Sequence, residues 1–450
     1  MIYTFFKTLT RLALKIYFRK VHIKGLENIP EKGPFLIVAN HPSSFLDPLS
    51  IGVLINHKIS FLAKATMFNN RLIGSILKRF NMVPIYRAQD NHKKLSKNKD
   101  TFKACYQKLS DNGVIMIFPE GTSESERKLR KIKTGAARIA LGAAKENNYN
   151  LNIKILPVGL NYTKSSRFKS ELFIQFGKPL ESNDYIEEYK NEEISVAKKL
   201  TENIEKSIKN LIVDIDKEEY VILVKRVESL YKKRLLKITN NNQNDVFANV
   251  EASQKIYSAI NLFQKENPIL FQQTKTKIDD YFLNLKTMNL SDRTIEKGSQ
   301  QGNILGYFIK SIFILIVGFP IWLFGYINSF IPYKIPRLIA LKITDSEAFY
   351  GALLMSLGTF SFVIFYSLIT FLVWEFTHHS LFTFCYAIAL PLSGFFTIFY
   401  TRIARRLYYN WQFISRFFSK QKMLVQLMTD RNTIIEELET IAKKFKTTVR

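Results

Sequence analysis

Three long apolar stretches in the last third of the chain limit its fold more than any other feature. They lie near 304–331, 348–374 and 381–400, and each is long enough to be considered as a membrane span. Backbone polar groups in lipid must pair internally, so we expect helices there. The second and third stretches are almost uncharged. The first contains Lys310 and a central Gly-Phe-Pro at 318–320, which favours a re-entrant or interfacial hairpin over a true span.

The charges that flank these stretches predict their orientation. The turn 375–380, between the second and third stretches, has no Lys or Arg. Basic residues precede the second stretch and follow the third: Lys334, Arg337, Lys342, Arg402, Arg405, Arg406, Arg416, Lys420 and Lys422. Because cytoplasmic flanks of membrane spans are enriched in Lys and Arg, we expect both outer flanks, and the part of the chain that precedes these stretches, to face the cytoplasm. Residues 303–402 are predicted to be membrane-embedded, and 403–450 to form a cytoplasmic helical tail.

The overall charge indicates an anionic partner. The formal net charge is +27, and 14% of the 450 residues are aromatic. Membrane lipids and nucleic acid would both suit this charge, but only the membrane explains the apolar stretches, so we expect no nucleic-acid partner. Residues 1–20 have the spacing of a basic amphipathic helix that associates with a membrane, with packing on a domain as the alternative. Cys105 and Cys385 lie far apart and indicate neither a metal site nor a disulfide framework.

Residues 21–183 have the pattern of an α/β domain, in which short β-rich runs alternate with helical stretches. The predicted strands are Phe35–Ala39, Met82–Tyr86, Val114–Phe118, Ile153–Leu160 and Leu172–Phe176. The expected fold class is therefore α/β, a mixed sheet with flanking helices. Residues 184–302 are highly charged with helical spacing, so they are predicted to form a helical region, and they carry no motif that we can assign to chemistry.

A histidine and an aspartate follow the first predicted strand, in the segment Asn-His-Pro-Ser-Ser-Phe-Leu-Asp-Pro at 40–48. His41 could take a proton from a hydroxyl as that hydroxyl attacks a carbonyl carbon. Asp47 could fix the imidazole tautomer and stabilise the imidazolium that forms. An alternative role for Asp47 is to cap a helix that has Pro48 at its first position. Both roles of Asp47 are compatible.

Three further segments carry residues that suit a phosphate-bearing substrate. Glu120, Gly121 and Thr122 follow the strand 114–118, where ligand-binding loops of α/β sheets commonly lie. Arg87 ends another predicted strand and could clasp a phosphate, although an arginine there is more often a solvated charge. Lys133 precedes a helix N-terminus, a position that attracts phosphate, within a basic run that could equally be a solvated loop.

The order of these segments resembles the glycerolipid acyltransferase superfamily, which includes the glycerol-3-phosphate and lysophosphatidate acyltransferases. The resemblance covers about residues 20–180 and is carried by Asn-His-Pro-Ser-Ser-Phe-Leu-Asp at 40–47 and Phe-Pro-Glu-Gly-Thr at 118–122. It implies that His41 is the catalytic base and Asp47 its orienting partner. It also implies a set of residues that bind the phosphate-bearing acceptor: Arg87, Glu120, Gly121 and Thr122.

The spacing between the histidine and the aspartate departs from the common family pattern. Five residues separate His41 from Asp47 instead of four, a form that looks like the fungal-type glycerol-3-phosphate and dihydroxyacetone-phosphate acyltransferases. The resemblance implies an enzyme of phospholipid synthesis that transfers an acyl group to glycerol-3-phosphate or 1-acylglycerol-3-phosphate. The expected donor is acyl-CoA, as co-substrate, or an acyl-carrier protein. We expect no acyl-enzyme, metal or further cofactor. The alternative is a catalytically silent membrane protein that binds lipid or a partner.

Overall fold

The chain forms two compact units in a computed structural model that describes residues 2–86, 98–238, 246–298 and 304–446. The first unit comprises Met1–Asp216 together with Ala340–Ser356. The second comprises Lys217–Ile339 and Leu357–Arg450. The first unit is thus made from two separate parts of the chain, and the later part includes the beginning of a long apolar helix.

The first unit is built on one mixed sheet. Its strands are β1 (Lys20–Lys24), β2 (Phe35–Ala39), β3 (Ile59–Lys64), β4 (Met82–Ile85), β5 (Val114–Ile117), β6 (Lys154–Tyr162), β7 (Glu171–Phe176) and β8 (Leu180–Glu181). The spatial order is β1-β7-β6-β2-β5-β3-β4, with β8 paired to β6. The pairs that β6 makes with β7 and β8 are antiparallel and the others are parallel. The predicted mixed sheet is confirmed.

Helices cover both faces of this sheet. They are α1 (Ile2–Tyr17), α2 (Leu46–Gly52), α3 (Arg71–Arg79), α4 (Asn98–Ser110), α5 (Gly135–Glu146), α6 (Ile186–Asn191) and α7 (Glu193–Lys209). One face of the sheet packs in a buried cluster with side chains of α4, α5, α6 and α7, and the other with α1, α2 and residues 352–355. Every residue of β2 is fully buried, so this strand lies at the centre of the layers.

Three strands and one boundary differ from the sequence prediction. The prediction omitted β1, whose sequence Lys-Val-His-Ile-Lys alternates polar and apolar residues as an edge strand does, β3, which comes soon after a short helix, and the short strand β8. Residues 184–216, predicted as part of the helical region, belong to the first unit. Apolar side chains of α6 and α7 are buried against the sheet there, which explains the difference.

The second unit is helical throughout its described residues. Five of its helices are not among those apolar enough to cross a membrane: α8 (Tyr220–Ile238), α9 (Val246–Glu266), α10 (Pro268–Thr287), α11 (Asp292–Gly298) and α15 (Gln421–Lys446). A buried network holds α15 to this group: Asp292 accepts hydrogen bonds from Arg431, Tyr281 and Ser229. Leu424, Leu427 and Ile434 of the predicted apolar face of the tail are buried.

Three further helices are long and apolar enough to cross a membrane. They are α12 (Ile304–Ile343), α13 (Glu347–Thr377) and α14 (Ser380–Ser419). By the length and composition of these helices the chain is a membrane protein. The predicted hairpin in the first stretch is wrong, because α12 is an unbroken helix through Gly318 and Pro320. The close approach of Gly325 to the backbone of Ser393 shows that this part of α12 packs along α14, which supports a continued helix.

A buried asparagine extends the pairing of β2 with β6 beyond the end of the backbone ladder. The side-chain amide of Asn40 donates to the carbonyl of Leu160 at 2.9 Å, and its oxygen accepts from the Leu160 N–H at 2.8 Å. Asn40 and Leu160 are both buried. The amide therefore takes the place of a backbone peptide group and fixes where the chain leaves β2.

We expect Asn40→Ala to lower the midpoint of thermal unfolding of the detergent-solubilised protein. The change leaves the N–H and C=O of Leu160 buried without partners, at a cost of about 1–3 kcal/mol for each group. Asn183→Ala, at an exposed position of the same unit, is the matched control. Equal midpoints for the two variants would contradict the role assigned to Asn40.

Candidate active site

The candidate site lies at one edge of the sheet. β2, β5 and β6 are parallel neighbours, so their carboxyl ends meet at this edge. The segment that contains His41 follows β2, and the Phe-Pro-Glu-Gly-Thr segment at 118–122 follows β5. Tyr162 is the last residue of β6. Three sequence-distant parts of the chain are brought together because their strands are adjacent and parallel.

His41 and Asp47 are in direct contact. The Nδ1 atom of His41 lies 2.8 Å from Oδ2 of Asp47. The Asp47 side chain is completely buried, whereas 19% of the His41 side chain is exposed. A carboxylate at Nδ1 favours the tautomer with its proton on that nitrogen. Nε2 is then the nitrogen that can accept a proton from a substrate.

Two further donors hold the Asp47 carboxylate in place. The backbone N–H of Ser43 donates to Oδ2 at 2.7 Å, and the Tyr162 hydroxyl donates to Oδ1 at 2.7 Å. Burial, and then the negative charge of Asp47, raise the pKa of Tyr162 well above its usual value, so the phenol remains a donor. With His41, the carboxylate has three partners from separate parts of the sheet edge.

The predicted helix-capping role of Asp47 is wrong. The helix α2 begins at Leu46, its N-cap position is Phe45, and no side chain caps it. Asp47 lies in the first turn instead, and the contacts of its carboxylate are with His41, Ser43 and Tyr162. Because the helix begins one residue before Asp47, its carboxylate is not placed as an N-cap side chain and accepts instead from these donors, which is the physical reason for the difference.

Glu120 connects the His41 segment to the basic segment around 130. Its Oε1 accepts from the His41 backbone N–H at 2.7 Å, and its Oε2 from the Arg130 backbone N–H at 3.1 Å. The residue is buried, and this burial raises its pKa to about 7 although both N–H groups favour the ionised form. The observed contacts thus join two loops of the protein, while the role predicted for Glu120 in binding an acceptor stays a prediction.

Lys133 lies over Gly121. A Cβ atom built on Gly121 would lie 2.7 Å from the Lys133 amine, and Gly121 has a φ of +71°, which glycine adopts readily. The Lys133 backbone donates to the carbonyl of Pro119 at 2.9 Å, which fixes this arrangement. Thr122 is half-buried beside them. Arg87 lies outside the described residues.

The ring of His41 stacks on Phe118, with ring centroids 4.0 Å apart and planes 16° from parallel. The stack fixes the plane of the imidazole, and the bond to Asp47 fixes its rotation within that plane. The orientation of Nε2 is therefore set before any substrate arrives.

Residues 20–161 match the model of the family described as Acyltransferase. The match includes the segment that contains His41 and Asp47 and the Phe-Pro-Glu-Gly-Thr segment at 118–122. These residues are an acyltransferase domain of the glycerolipid acyltransferase superfamily.

Two relatives of the acyltransferase domain are named as acyltransferases of glycerol phosphates. Glycerol-3-phosphate O-acyltransferase 1 of Saccharomyces cerevisiae is 23% identical over 62% of this chain and 47% of its own length. The 1-acyl-sn-glycerol-3-phosphate acyltransferase of Bacillus subtilis is 26% identical over 44% of this chain and 90% of its own. The chain thus spans about half the length of the yeast relative. A crystal structure of the 1-acyl-sn-glycerophosphate acyltransferase of Thermotoga maritima matches 47% of this chain and 80% of its own, at 21% identity and a TM-score of 0.35.

Tyr162 escaped the sequence reasoning, and three residues of the segments that were singled out make contacts that the sequence does not show. Tyr162 and Asn40 act through partners more than 100 positions away. Ser123 accepts a hydrogen bond from the Ser44 N–H at 2.6 Å. Phe118 belongs to a segment that was singled out, but its stacking on His41 depends on the order of β2 and β5.

Cys105 is not placed as a reactive thiol. Cys105 is buried, and burial raises its pKa to about 12, so its thiol is not a thiolate nucleophile. No group of three His, Cys, Asp or Glu side chains with the spacing of a metal site is found in the part of the chain that the structure describes.

We expect the stability difference between the parent protein and Glu120→Gln to depend on pH. Burial raises the pKa of Glu120 from 4.5 to about 7, so the folded protein binds this proton more tightly than the unfolded chain. The stability of the parent relative to the variant therefore falls as pH rises through this interval and levels off above it. The measurement is the thermal unfolding midpoint in detergent as a function of pH.

Glu146→Gln is the matched control, because it removes a carboxylate from an exposed position of α5 in the same domain. Its midpoint relative to the parent should not follow the pH dependence of the Glu120 variant. A difference for Glu120→Gln that is constant, or that grows in favour of the parent as pH rises, would contradict the assignment.

Proposed function

We propose that this protein transfers a fatty acyl group from acyl-CoA to a hydroxyl of glycerol-3-phosphate or 1-acylglycerol-3-phosphate. The observation that carries the proposal is the bond between His41 and the buried Asp47, which leaves Nε2 as the proton acceptor. The match of residues 20–161 to the acyltransferase family, and the names of the relatives described above, support this reaction class.

The proposed chemistry is direct transfer with His41 as general base. Nε2 removes the proton of the acceptor hydroxyl as its oxygen attacks the thioester carbonyl carbon. The tetrahedral intermediate collapses with cleavage of the carbon–sulfur bond, and the proton on His41 is available to the departing CoA thiolate. Asp47 stabilises the imidazolium during these steps. An acyl-enzyme is unnecessary, because the acceptor oxygen is itself the nucleophile.

The acceptor phosphate is proposed to bind beside the Phe-Pro-Glu-Gly-Thr segment. The amine of Lys133 lies over Gly121, whose missing side chain leaves room there. An exposed amine at this position supplies a positive charge close to the edge that holds His41. Arg87 and Thr122 remain proposed contributors to this phosphate site.

The acyltransferase domain is proposed to face the cytoplasm. Lys334, Arg337 and Lys342 precede α13, and further basic residues follow the apolar part of α14, which supports cytoplasmic outer flanks. Residues 340–356 belong to the same compact unit as the domain, which supports placing the start of α13 on that side.

We expect His41→Ala to abolish transfer from acyl-CoA, with a loss of roughly 100-fold or more, because a general base contributes about 10²–10⁴ in rate. His57→Ala is the matched control. His57 precedes β3, which is parallel to β2, so it lies at the opposite edge of the sheet, near the carbonyl of Pro30.

The measurement is mass spectrometry of lipid products from the detergent-solubilised protein. Glycerol-3-phosphate, dihydroxyacetone phosphate and 1-acylglycerol-3-phosphate are offered separately, each with acyl-CoA or acyl-carrier protein. An active His41→Ala protein would overturn the mechanism. A parent that consumes no thioester with any acceptor would favour a silent lipid-binding protein.

We expect Lys133→Gln to raise the KM for the phosphate-bearing acceptor by roughly 10-fold, because a charge-assisted hydrogen bond contributes about 1.5–3 kcal/mol. The KM for acyl-CoA should change little. Lys131→Gln, two residues earlier and also exposed, is the matched control. Equal acceptor KM values for the two variants would argue against a phosphate contact by Lys133.

A further inference from the structure

The start of α13 packs against the segment that links the proposed base to its partner. We define the catalytic loop as residues 41–47. The Ser43 hydroxyl donates to the carbonyl of Ala348 at 3.4 Å, and the ring of Phe45 meets that of Phe349 edge-on, with centroids 6.1 Å apart. Both contacts lie within the first unit. A membrane helix thus touches the loop between His41 and Asp47.

Gly351 makes this contact close. A Cβ atom at Gly351 would lie 2.4 Å from the carbonyl oxygen of Ser165 and 3.2 Å from a methyl group of Leu46. The Ser165 carbonyl also accepts from the Tyr17 hydroxyl at 2.8 Å, so this backbone is held from its other side. Only a residue without a side chain fits between α13 and these groups.

Polar and apolar contacts around Gly351 anchor the same part of α13. Glu347 accepts a hydrogen bond from the Ser166 hydroxyl at 2.9 Å. Ala348, Ala352 and Met355 are buried, the last two within the cluster that covers one face of the sheet. The first ten residues of the helix are therefore part of the first unit.

The catalytic loop contains a residue that requires such support. Ser44 has a φ of 40°, in the left-handed region that a serine rarely adopts. Its N–H donates to the Ser123 hydroxyl, which holds the loop from the side of β5. On the other side, Ser43 links α13 to Asp47, since its hydroxyl contacts Ala348 while its N–H donates to the carboxylate. A conformation of this kind persists where surrounding contacts over-determine it.

We propose that the first ten residues of α13 position the catalytic loop, with Gly351 and the carbonyl of Ala348 as the positioning groups. Acyl transfer then depends on the docking of this membrane helix, and not only on the acyltransferase domain. The inference rests on the proposed function, because it concerns the placement of His41 and Asp47 in that reaction.

The test compares Gly351→Ala with Gly358→Ala in the full chain. Both changes replace a glycine of α13, and alanine favours a helix by about 1 kcal/mol over glycine, so neither weakens the helix itself. A Cβ at Gly358 meets nothing within 4 Å, whereas at Gly351 it collides with backbone. We expect Gly351→Ala to lower kcat at least roughly tenfold and Gly358→Ala to leave it unchanged, because small displacements of catalytic groups are costly.

The pH midpoint of kcat/KM separates positioning from loss of folded protein. Asp47 and Glu120 are the titratable groups that contact His41, so a displaced loop alters the surroundings of the base. We expect the midpoint to shift in Gly351→Ala. Fewer folded molecules would lower kcat without moving the midpoint, and that result would overturn the proposal. So would a kcat and midpoint equal to those of the parent.

Ser43→Ala decides the matter if Gly351→Ala does not fold. It removes the hydroxyl that contacts Ala348 and adds no atoms, so it cannot clash. A lower kcat with a shifted midpoint supports the proposal, and parental values overturn it. The same assay distinguishes a failure of the proposed function from a failure of the positioning role of α13. An inactive parent refutes the proposed function, whereas an active parent with an equally active, unshifted Gly351→Ala refutes only the role of α13.

Discussion

The arrangement of the site depends on one buried carboxylate. A fully buried Asp47 is costly unless its oxygens are hydrogen-bonded, and it has three partners: the His41 ring, the Ser43 N–H and the Tyr162 hydroxyl. These groups come from the end of β2, the following loop and the end of β6. The same contacts that make burial of the carboxylate tolerable therefore fix the imidazole. The stability of this edge of the sheet and the orientation of the His41 ring therefore have the same requirement, which is that all three contacts of Asp47 form together.

That requirement is met only because the sheet places β2 between β5 and β6. Alternate side chains of β2 pack into different clusters on the two faces of the sheet, and a shift by one residue would exchange these sets, so close packing on both faces holds the register. The register determines where His41 lies relative to the ends of the neighbouring strands. The Asn40 side-chain amide continues the pairing of β2 with β6 by bonding the backbone of Leu160. Glu120 then joins the loop after β5 to the His41 backbone. Packing of the sheet core thus determines the distances between the site residues at the carboxyl ends of these strands.

The sequence could predict what is local and could not predict what depends on register. The apolar runs that form β2 and β5 were recognised, and so were the polar segments that follow them, because strand and loop signals lie within a few residues. Tyr162 lies 115 positions from Asp47, and nothing around it marks a donor. The capping prediction for Asp47 failed for another reason. An Asp-Pro pair is typical of a helix start, but α2 begins one residue earlier, and the carboxylate is bound by two nearby groups and by Tyr162. Likewise, no sequence pattern shows that α13 begins against the catalytic loop.

The length of α13 connects the site to the membrane. Its first ten residues, 347–356, belong to the acyltransferase unit, and 357–377 remain for the bilayer. At about 1.5 Å per residue, the second part is about 30 Å long, which equals the hydrocarbon thickness of a typical bilayer. The first part is about 15 Å long, roughly twice the depth of one headgroup layer, so it is too long to be explained by the membrane surface alone. Its residues 348–351 contact the catalytic loop instead. One continuous helix thus combines a part that packs on the proposed site with a part whose length suits a bilayer.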